Sequence, residues 1–215
     1  MAVPKNKEYV AKILAELAKH YPDAHCALLY ENPFQLLVAT ILSAQCTDIK
    51  VNQVTPILFK KYKTPQALAK ALVEDIEKII KPTGFYKNKS KNLLSMAQSL
   101  VQLHQGVVPT TMPELKSLAG VGRKTANVVL GNCFSKPDGV VVDTHVGRIT
   151  QRLGLTKNFT PEKIEKDLAV IIPKDKWVIF SHWLIDHGRK TCKARNPDCE
   201  HCFLNSICPK KTAKK

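Results

Sequence analysis

The chain has no apolar run long enough to cross a bilayer. Its longest, LLVATILSA at 36–44, falls far short of the roughly 18 residues a spanning helix needs, so no membrane-spanning segment is expected, although the chain's positive charge would suit an anionic membrane surface as well as nucleic acid. No stretch reads as a secretory leader, and no internal repeat or low-complexity segment occurs apart from a lysine-rich tail. Acidic residues are few: 18 Asp and Glu stand against 33 Lys and Arg, giving a formal net charge of +15. Six of the cations (Lys5, Lys7, Lys210, Lys211, Lys214 and Lys215) lie near the ends, which leaves about +9 of the +15 on the body. A polyanion suits such a chain, and nucleic acid is the first candidate. An odd count of seven cysteines without a leader argues against a disulfide scaffold and for a reducing, cytoplasmic setting. Cys26, Cys46 and Cys133 stand singly in apolar surroundings and read as small packing residues rather than nucleophiles.

What is present is helical nearly throughout. In YVAKILAELAKHY, Tyr9, Val10, Ile13, Leu14 and Leu17 recur on one face. PFQLLVATILSAQ is apolar on all sides, as the buried centre of a helical domain would be. Thr64-Pro65, Met112-Pro113 and Thr160-Pro161 place proline at helix starts, and the two threonines are able to cap. Further helices are expected at about 48–61, 75–81, 88–104, 122–133, 144–153, 161–171 and 175–187. Only GVVVD (139–143) has strand character, too short and solitary to build a sheet, so the class is all-α. FSKPDGVVV is the expected crossing point between two lobes.

The stretch LAGVGRKTANVVL, 118–130, fits neither the dinucleotide fingerprint nor the P-loop: Thr125 falls where a third glycine is needed, and Arg123 stands where glycine should precede Lys124. It reads as helix, tight glycine hairpin, helix. A glycine turn opening a helix points backbone N–H groups outward at the positive end of the helix dipole, a ready phosphate site that positions a duplex without reading its bases. A plain interhelical turn, with Gly120 as a C-cap and Gly122 relieving a corner, accounts for the residues equally well. Lys124 falls in the first turn, where the dipole favours a neutral amine able to attack a sugar carbon and form a Schiff base. Phosphate binding is its other reading. In VVVDTHVGR, Asp143 stands where an N-cap belongs; carried up from the core by Val140–Val142 to a cleft edge, it could also stabilise developing positive charge. His145 reads as a packing residue.

The remaining motif is C-x6-C-x2-C-x5-C, formed by Cys192, Cys199, Cys202 and Cys208. Zinc sites commonly pair two short knuckles, whereas this has one knuckle with wide arms, a spacing suited to a four-thiolate iron–sulfur cube. His201, inside the knuckle, is not needed to complete the ligand set. The cluster would order the basic loop KAR (193–195) rather than carry electrons.

Taken together, LSAQCTD, LAGVGRKTANVVL, VDTHVGR, HWLIDHGR and the four cysteines resemble the endonuclease III family of base-excision DNA glycosylases with abasic-site lyase activity, over almost the whole chain. The resemblance implies a two-lobed helix-hairpin-helix fold with DNA in a cleft. One lobe, 26–137, would be a helical barrel carrying the hairpin; the other would join 1–25 to 138–215 and hold a [4Fe-4S] cluster. It implies Lys124 as the nucleophile at C1′ of the damaged nucleotide, assisted by Asp143. Gln45 would fill the gap left by the flipped base, while the Thr83–Tyr86 turn, with Thr83 and Gly84, presses from the opposite side. Gly120, Val121, Gly122 and Arg123 would hold a backbone phosphate. The partner implied is double-stranded DNA carrying damaged pyrimidines or abasic sites, bound by a monomer at the bacterial nucleoid. Two departures stand out: Ala119 replaces the family's usual proline, and Asn196 and Asp198 dilute the basic loop, although Lys193 and Arg195 remain. An adenine mismatch glycosylase of the same fold lacks the lysine nucleophile and is disfavoured by Lys124; a non-catalytic DNA-binding module is disfavoured by Lys124 and Asp143 occurring together.

Overall fold

A computed structural model describes residues 7–209; of the terminal lysines counted above, Lys5, Lys210, Lys211, Lys214 and Lys215 lie outside the described residues. Among those described there are α-helices and short 3-10 turns and no strand. The helices are α1 Lys7–His20, α2 Pro33–Leu42, α3 Asp48–Lys61, α4 Pro65–Ala69, α5 Val73–Ile80, α6 Tyr86–His104, α7 Met112–Ser117, α8 Arg123–Phe134, α9 Thr144–Arg152, α10 Pro161–Ile171 and α11 Trp177–Lys190. The chain divides into two compact units: Cys26–Asp138, and the described parts of 1–25 and 139–215.

In the first unit α2 is central. Asn32 caps it by accepting the Gln35 N–H at 3.0 Å, and Pro33 at its first turn gives up no hydrogen bond. Every residue from Phe34 to Leu42 is buried, and α3, α6 and α8 pack around it. Each fully buried leucine here, such as Leu36, Leu37 and Leu42, contributes about 1.5–3 kcal/mol relative to exposure.

The second unit has its own core, in which Val10, Ile13 and Leu17 of α1 join Val146 and Ile149 of α9 and Phe180 and Leu184 of α11. The first helix therefore packs with the late segments of the chain, which its periodicity alone left open. Gly188 lets α9 and α11 approach closely, since a Cβ there would meet His145 Nδ1 at 2.4 Å. His145 packs in this contact, as expected. GVVVD is extended but pairs with no strand; Val140 and Val142 are buried, and Ser181 Oγ donates to the Val141 carbonyl at 3.0 Å.

One expectation is corrected and two approximate helix bounds become definite. Thr64 caps α4 through its side chain, but Thr160 makes no side-chain cap to α10. The sixth helix begins at Tyr86 rather than 88, because Phe85 takes the cap position and its carbonyl accepts the Lys89 N–H at 3.0 Å. The last helix is preceded by a 3-10 turn at Lys174–Lys176 and runs on to Lys190.

Candidate functional site

The glycine hairpin is a tight turn of Leu118–Val121, closed by the Val121 N–H donating to the Leu118 carbonyl at 3.1 Å. Gly120 has φ +76° while Ala119 stays out of the left-handed region, the pattern of a type II turn that requires glycine at its third position. A Cβ on Gly120 would also meet Asn92 Cβ at 3.0 Å. Gly122 differs: its φ is −86°, and a Cβ there would touch nothing within 4 Å. The fold does not need glycine at 122, so its bareness leaves space outside the molecule. It is the N-cap of α8, and no side chain caps that end, which leaves the dipole terminus available to an external anion.

Lys124 is the second residue of α8 and is exposed. Arg123 is turned back on its own unit, donating from Nη1 to Asp138 Oδ2 at 2.8 Å and from Nη2 to the Asp138 carbonyl at 3.1 Å; it braces the hairpin. Val121 has a structural part in the hairpin. Its side chain is buried, and its N–H is engaged within the turn.

Two other turns belong to the same unit. Gln45 sits exposed on the turn after α2 with φ +52°, an uncommon conformation for a non-glycine residue. Phe85 has φ +48° and is 65% exposed. An aromatic side chain held outward on a left-handed backbone is strained without local benefit, and such outliers cluster at functional positions. Gly84, φ +68°, precedes it, with nothing within 4 Å of a Cβ. Thr83 is 2% exposed and its hydroxyl donates to the Ile80 carbonyl at 2.8 Å, so its side chain helps to build the turn. Within the expected Thr83–Tyr86 turn it is Phe85, not singled out from the sequence, that carries the large exposed side chain. The signal was present in TGFY, where a large apolar side chain follows the glycine of a turn.

In the other unit, Asp143 is the N-cap of α9, accepting the Val146 N–H at 2.8 Å through Oδ1. His145 is the second residue of that helix; burial holds its imidazole below the ordinary histidine value, opposed by the Asp143 charge.

The four cysteines of the late motif come together. Cys192, Cys199, Cys202 and Cys208 are all free thiols and line one cavity of about 310 Å³ with Ile149, Leu153 and Leu204. No three metal-binding side chains among the described residues converge on a single-ion point. Four thiols spread around an apolar void fit a multi-atom cluster better than a lone zinc ion. Arg152 organises the first arm: Nη1 donates to Cys192 Sγ at 3.2 Å and to the Lys193 carbonyl at 2.8 Å, and Nη2 to the Ala194 carbonyl at 3.1 Å. His201 is turned to Asp198, 2.9 Å from Nδ1 to Oδ1, and that hydrogen bond holds the Asp198 carboxyl below the usual range. Lys193 and Arg195 are exposed. Cys26 and Cys133 pack against the core of the first unit; burial raises both thiols, Cys133 to about 11, which suits inert packing residues.

Residues 38–174 match the HhH-GPD superfamily of base excision DNA repair proteins, and 192–208 match the iron-sulfur binding domain of endonuclease III. The chain is 51% identical to endonuclease III of Synechocystis sp. over 94% of its length and 93% of that protein's. It is 39% identical to endonuclease III of Escherichia coli, with 94% and 96% covered. A solved non-covalent endonuclease III–DNA complex superposes with a TM-score of 0.90 at 44% identity, covering 95% of this chain and 96% of that one. A trapped endonuclease III–DNA covalent intermediate gives 0.89 at the same identity and coverage.

Proposed function

Because the chain belongs to the endonuclease III family of the HhH-GPD superfamily, we propose that Lys124 and Asp143 perform its base-excision chemistry on oxidised pyrimidines. The protein is a DNA glycosylase with abasic-site lyase activity, acts on DNA, and carries a [4Fe-4S] cluster. Its cysteine set, Cys192, Cys199, Cys202 and Cys208, would hold that cluster, which when bound supplies a covalent staple for a segment with few apolar residues of its own. In this reading 26–137 is the barrel domain, and 1–25 with 138–215 is the cluster domain. The protein works as a monomer on double-stranded DNA, in the cytoplasm at the nucleoid.

The observation that carries the assignment is an exposed lysine at the start of α8, two residues after a glycine that the fold itself does not require. A phosphate held at that helix terminus would bring the sugar backbone to the Lys124 amine. The neutral amine donates its lone pair to C1′ as the glycosidic bond breaks, and the base leaves with the bonding electrons. One amine proton passes to the departing base; the C1′–O4′ bond then breaks, O4′ keeps its electrons and takes up a proton, and the nitrogen lone pair forms a protonated Schiff base with C1′. Removal of a C2′ proton then expels the 3′ phosphate and cuts the strand. The Asp143 carboxylate supplies negative charge opposite the positive charge that develops on the sugar. Gln45 and Phe85 fill the space left by the extruded base.

Lys124→Gln should abolish borohydride trapping on abasic DNA while duplex affinity stays nearly unchanged, since the amine is obligatory and one phosphate contact is dispensable. Asp143→Asn keeps an oxygen to cap α9 but removes the charge, so melting should hold while single-turnover excision drops about 100-fold or more. Trapping by Lys124→Gln, or excision at the unmodified rate by Asp143→Asn, would reject these roles and favour a DNA-binding module.

A further inference from the structure

The two left-handed turns are tied together by one buried cation. Lys89, on the first turn of α6, is 5% exposed, and its Nζ donates to the Leu42 carbonyl at 2.8 Å and to the Thr83 carbonyl at 2.8 Å. Leu42 is the last residue of α2, three residues before Gln45; Thr83 closes the 3-10 turn Lys81–Thr83, two residues before Phe85. Both carbonyls sit where a helical segment ends and its own N–H donors run out. An ammonium there satisfies two orphaned acceptors that burial would otherwise leave unpaired, and it meets the negative end of α2. A neutral side chain could fill the space, yet the chain keeps a cation whose charge burial disfavours.

We propose that Lys89 is a positioning residue that fixes the Gln45 and Phe85 turns to each other, so that the two side chains enter the duplex as one wedge. The inference rests on the proposed roles of Gln45 and Phe85 in base extrusion. Each turn carries a residue at positive φ and is closed by bonds within its own segment: Cys46 N–H to the Ser43 carbonyl at 3.1 Å in one, and Gly84 N–H to the Lys81 carbonyl at 3.3 Å with the Thr83 hydroxyl to the Ile80 carbonyl at 2.8 Å in the other; none of these ties one turn to the other. A wedge on such turns is accurate only if both are anchored, and a displacement of about 1 Å at a positioning contact can change a rate by around 100-fold.

The test is a coupling cycle on the cluster-loaded protein. Lys89→Met keeps the length and apolar stem but removes all donors. Its single-turnover excision of a damaged pyrimidine in a paired duplex should fall by about 10-fold or more, and the loss on abasic DNA, where no base needs extrusion, should be smaller. In a Gln45→Ala, Phe85→Ala background, where the wedge is already gone, Lys89→Met should cost no more than about a further twofold, because it acts through those side chains. Lys89→Arg, which keeps cationic donors, should recover part of the loss. If Lys89→Met is too unstable to assay, Lys89→Gln, with an uncharged N–H pair for the two carbonyls, takes its place in the cycle, and the same non-additivity is expected. Full additivity with the double variant, or equal losses on paired and abasic substrates, would overturn the proposal by showing that Lys89 only supports the fold. Failure of the proposed Gln45 and Phe85 roles is read separately: the double variant alone would then excise at the unmodified rate.

Discussion

Gly120 and Gly122 are two residues apart and are needed for unlike reasons. Gly120 is required by its own backbone, at φ +76° and against Asn92, whereas Gly122 has ordinary φ and open space around a Cβ. Gly122→Asp separates fold from function at a single position. Aspartate is a better N-cap than glycine and complements the helix dipole, so the protein should gain about 0.5 kcal/mol in stability. The same carboxylate occupies and repels the anion site, so affinity for duplex DNA should fall at least about tenfold. Melting temperature and binding isotherms on one preparation check both signs; a variant that is stabilised and still binds normally would move the phosphate anchor elsewhere. Asp143 carries the opposite lesson. Its cap to Val146 is a complete structural role, and only the loss of charge without loss of the cap can expose a catalytic one.

At the scale of elements, the hairpin shows how one substitution can be accommodated by the turn around it. Ala119 occupies the second position of the type II turn, which favours proline. Leu118 before it is extended, with φ −77° and ψ 141°, the conformation that a following proline imposes. Ala119→Pro should therefore stabilise the protein by about 0.4–1 kcal/mol, chiefly by restricting the unfolded chain. In a chain of this size that is a rise of roughly 1–4 °C in Tm by differential scanning calorimetry, with DNA affinity unchanged or improved. A fall in Tm would mean that the Ala119 N–H or its φ is less compatible than the turn geometry indicates. The late loop is organised differently, by Arg152 reaching from α9 to the Cys192 sulfur and two carbonyls beyond it.

For the whole molecule, charge and buried histidine set how solution conditions act. With a formal net charge of +15, affinity for undamaged duplex should fall steeply with salt; each phosphate neutralised adds roughly −0.9 to the slope of log K against log salt. A slope near zero in a titration from about 50 to 200 mM salt would contradict phosphate-led binding. His182 is partly buried, and burial holds its imidazole below the ordinary histidine value, with Asp186 opposing. A depressed histidine resists protonation in the folded state and accepts it readily when unfolded. Stability is therefore full above the unfolded value of about 6.5 and is lost as pH falls from there toward the folded value. Tm should drop between about pH 7 and pH 5, and less steeply in His182→Gln; identical pH profiles for the two proteins would exclude His182 as a contributor.

Much of this was legible in the residues. Helical periodicity, proline at helix starts and an apolar segment flanked by polar ones determined an all-α fold and the place of α2, because these are properties of neighbouring residues and need no distant partner. The cysteine spacing likewise pointed locally to a four-thiolate cluster, whereas the run from Gly120 to Lys124 by itself fitted a plain interhelical turn equally well. Tertiary structure decided the rest. It assigned α1 to the late segments, since an amphipathic face shows that a helix is buried and not against what. It engaged the Thr83 hydroxyl and the Val121 N–H in closing their own turns, because a turn motif does not reveal which polar groups its own closure will use. It brought forward Phe85 and Lys89: the left-handed backbone that holds an aromatic outward, and the burial of an ammonium between carbonyls 47 and 6 residues away, exist only once the chain has folded.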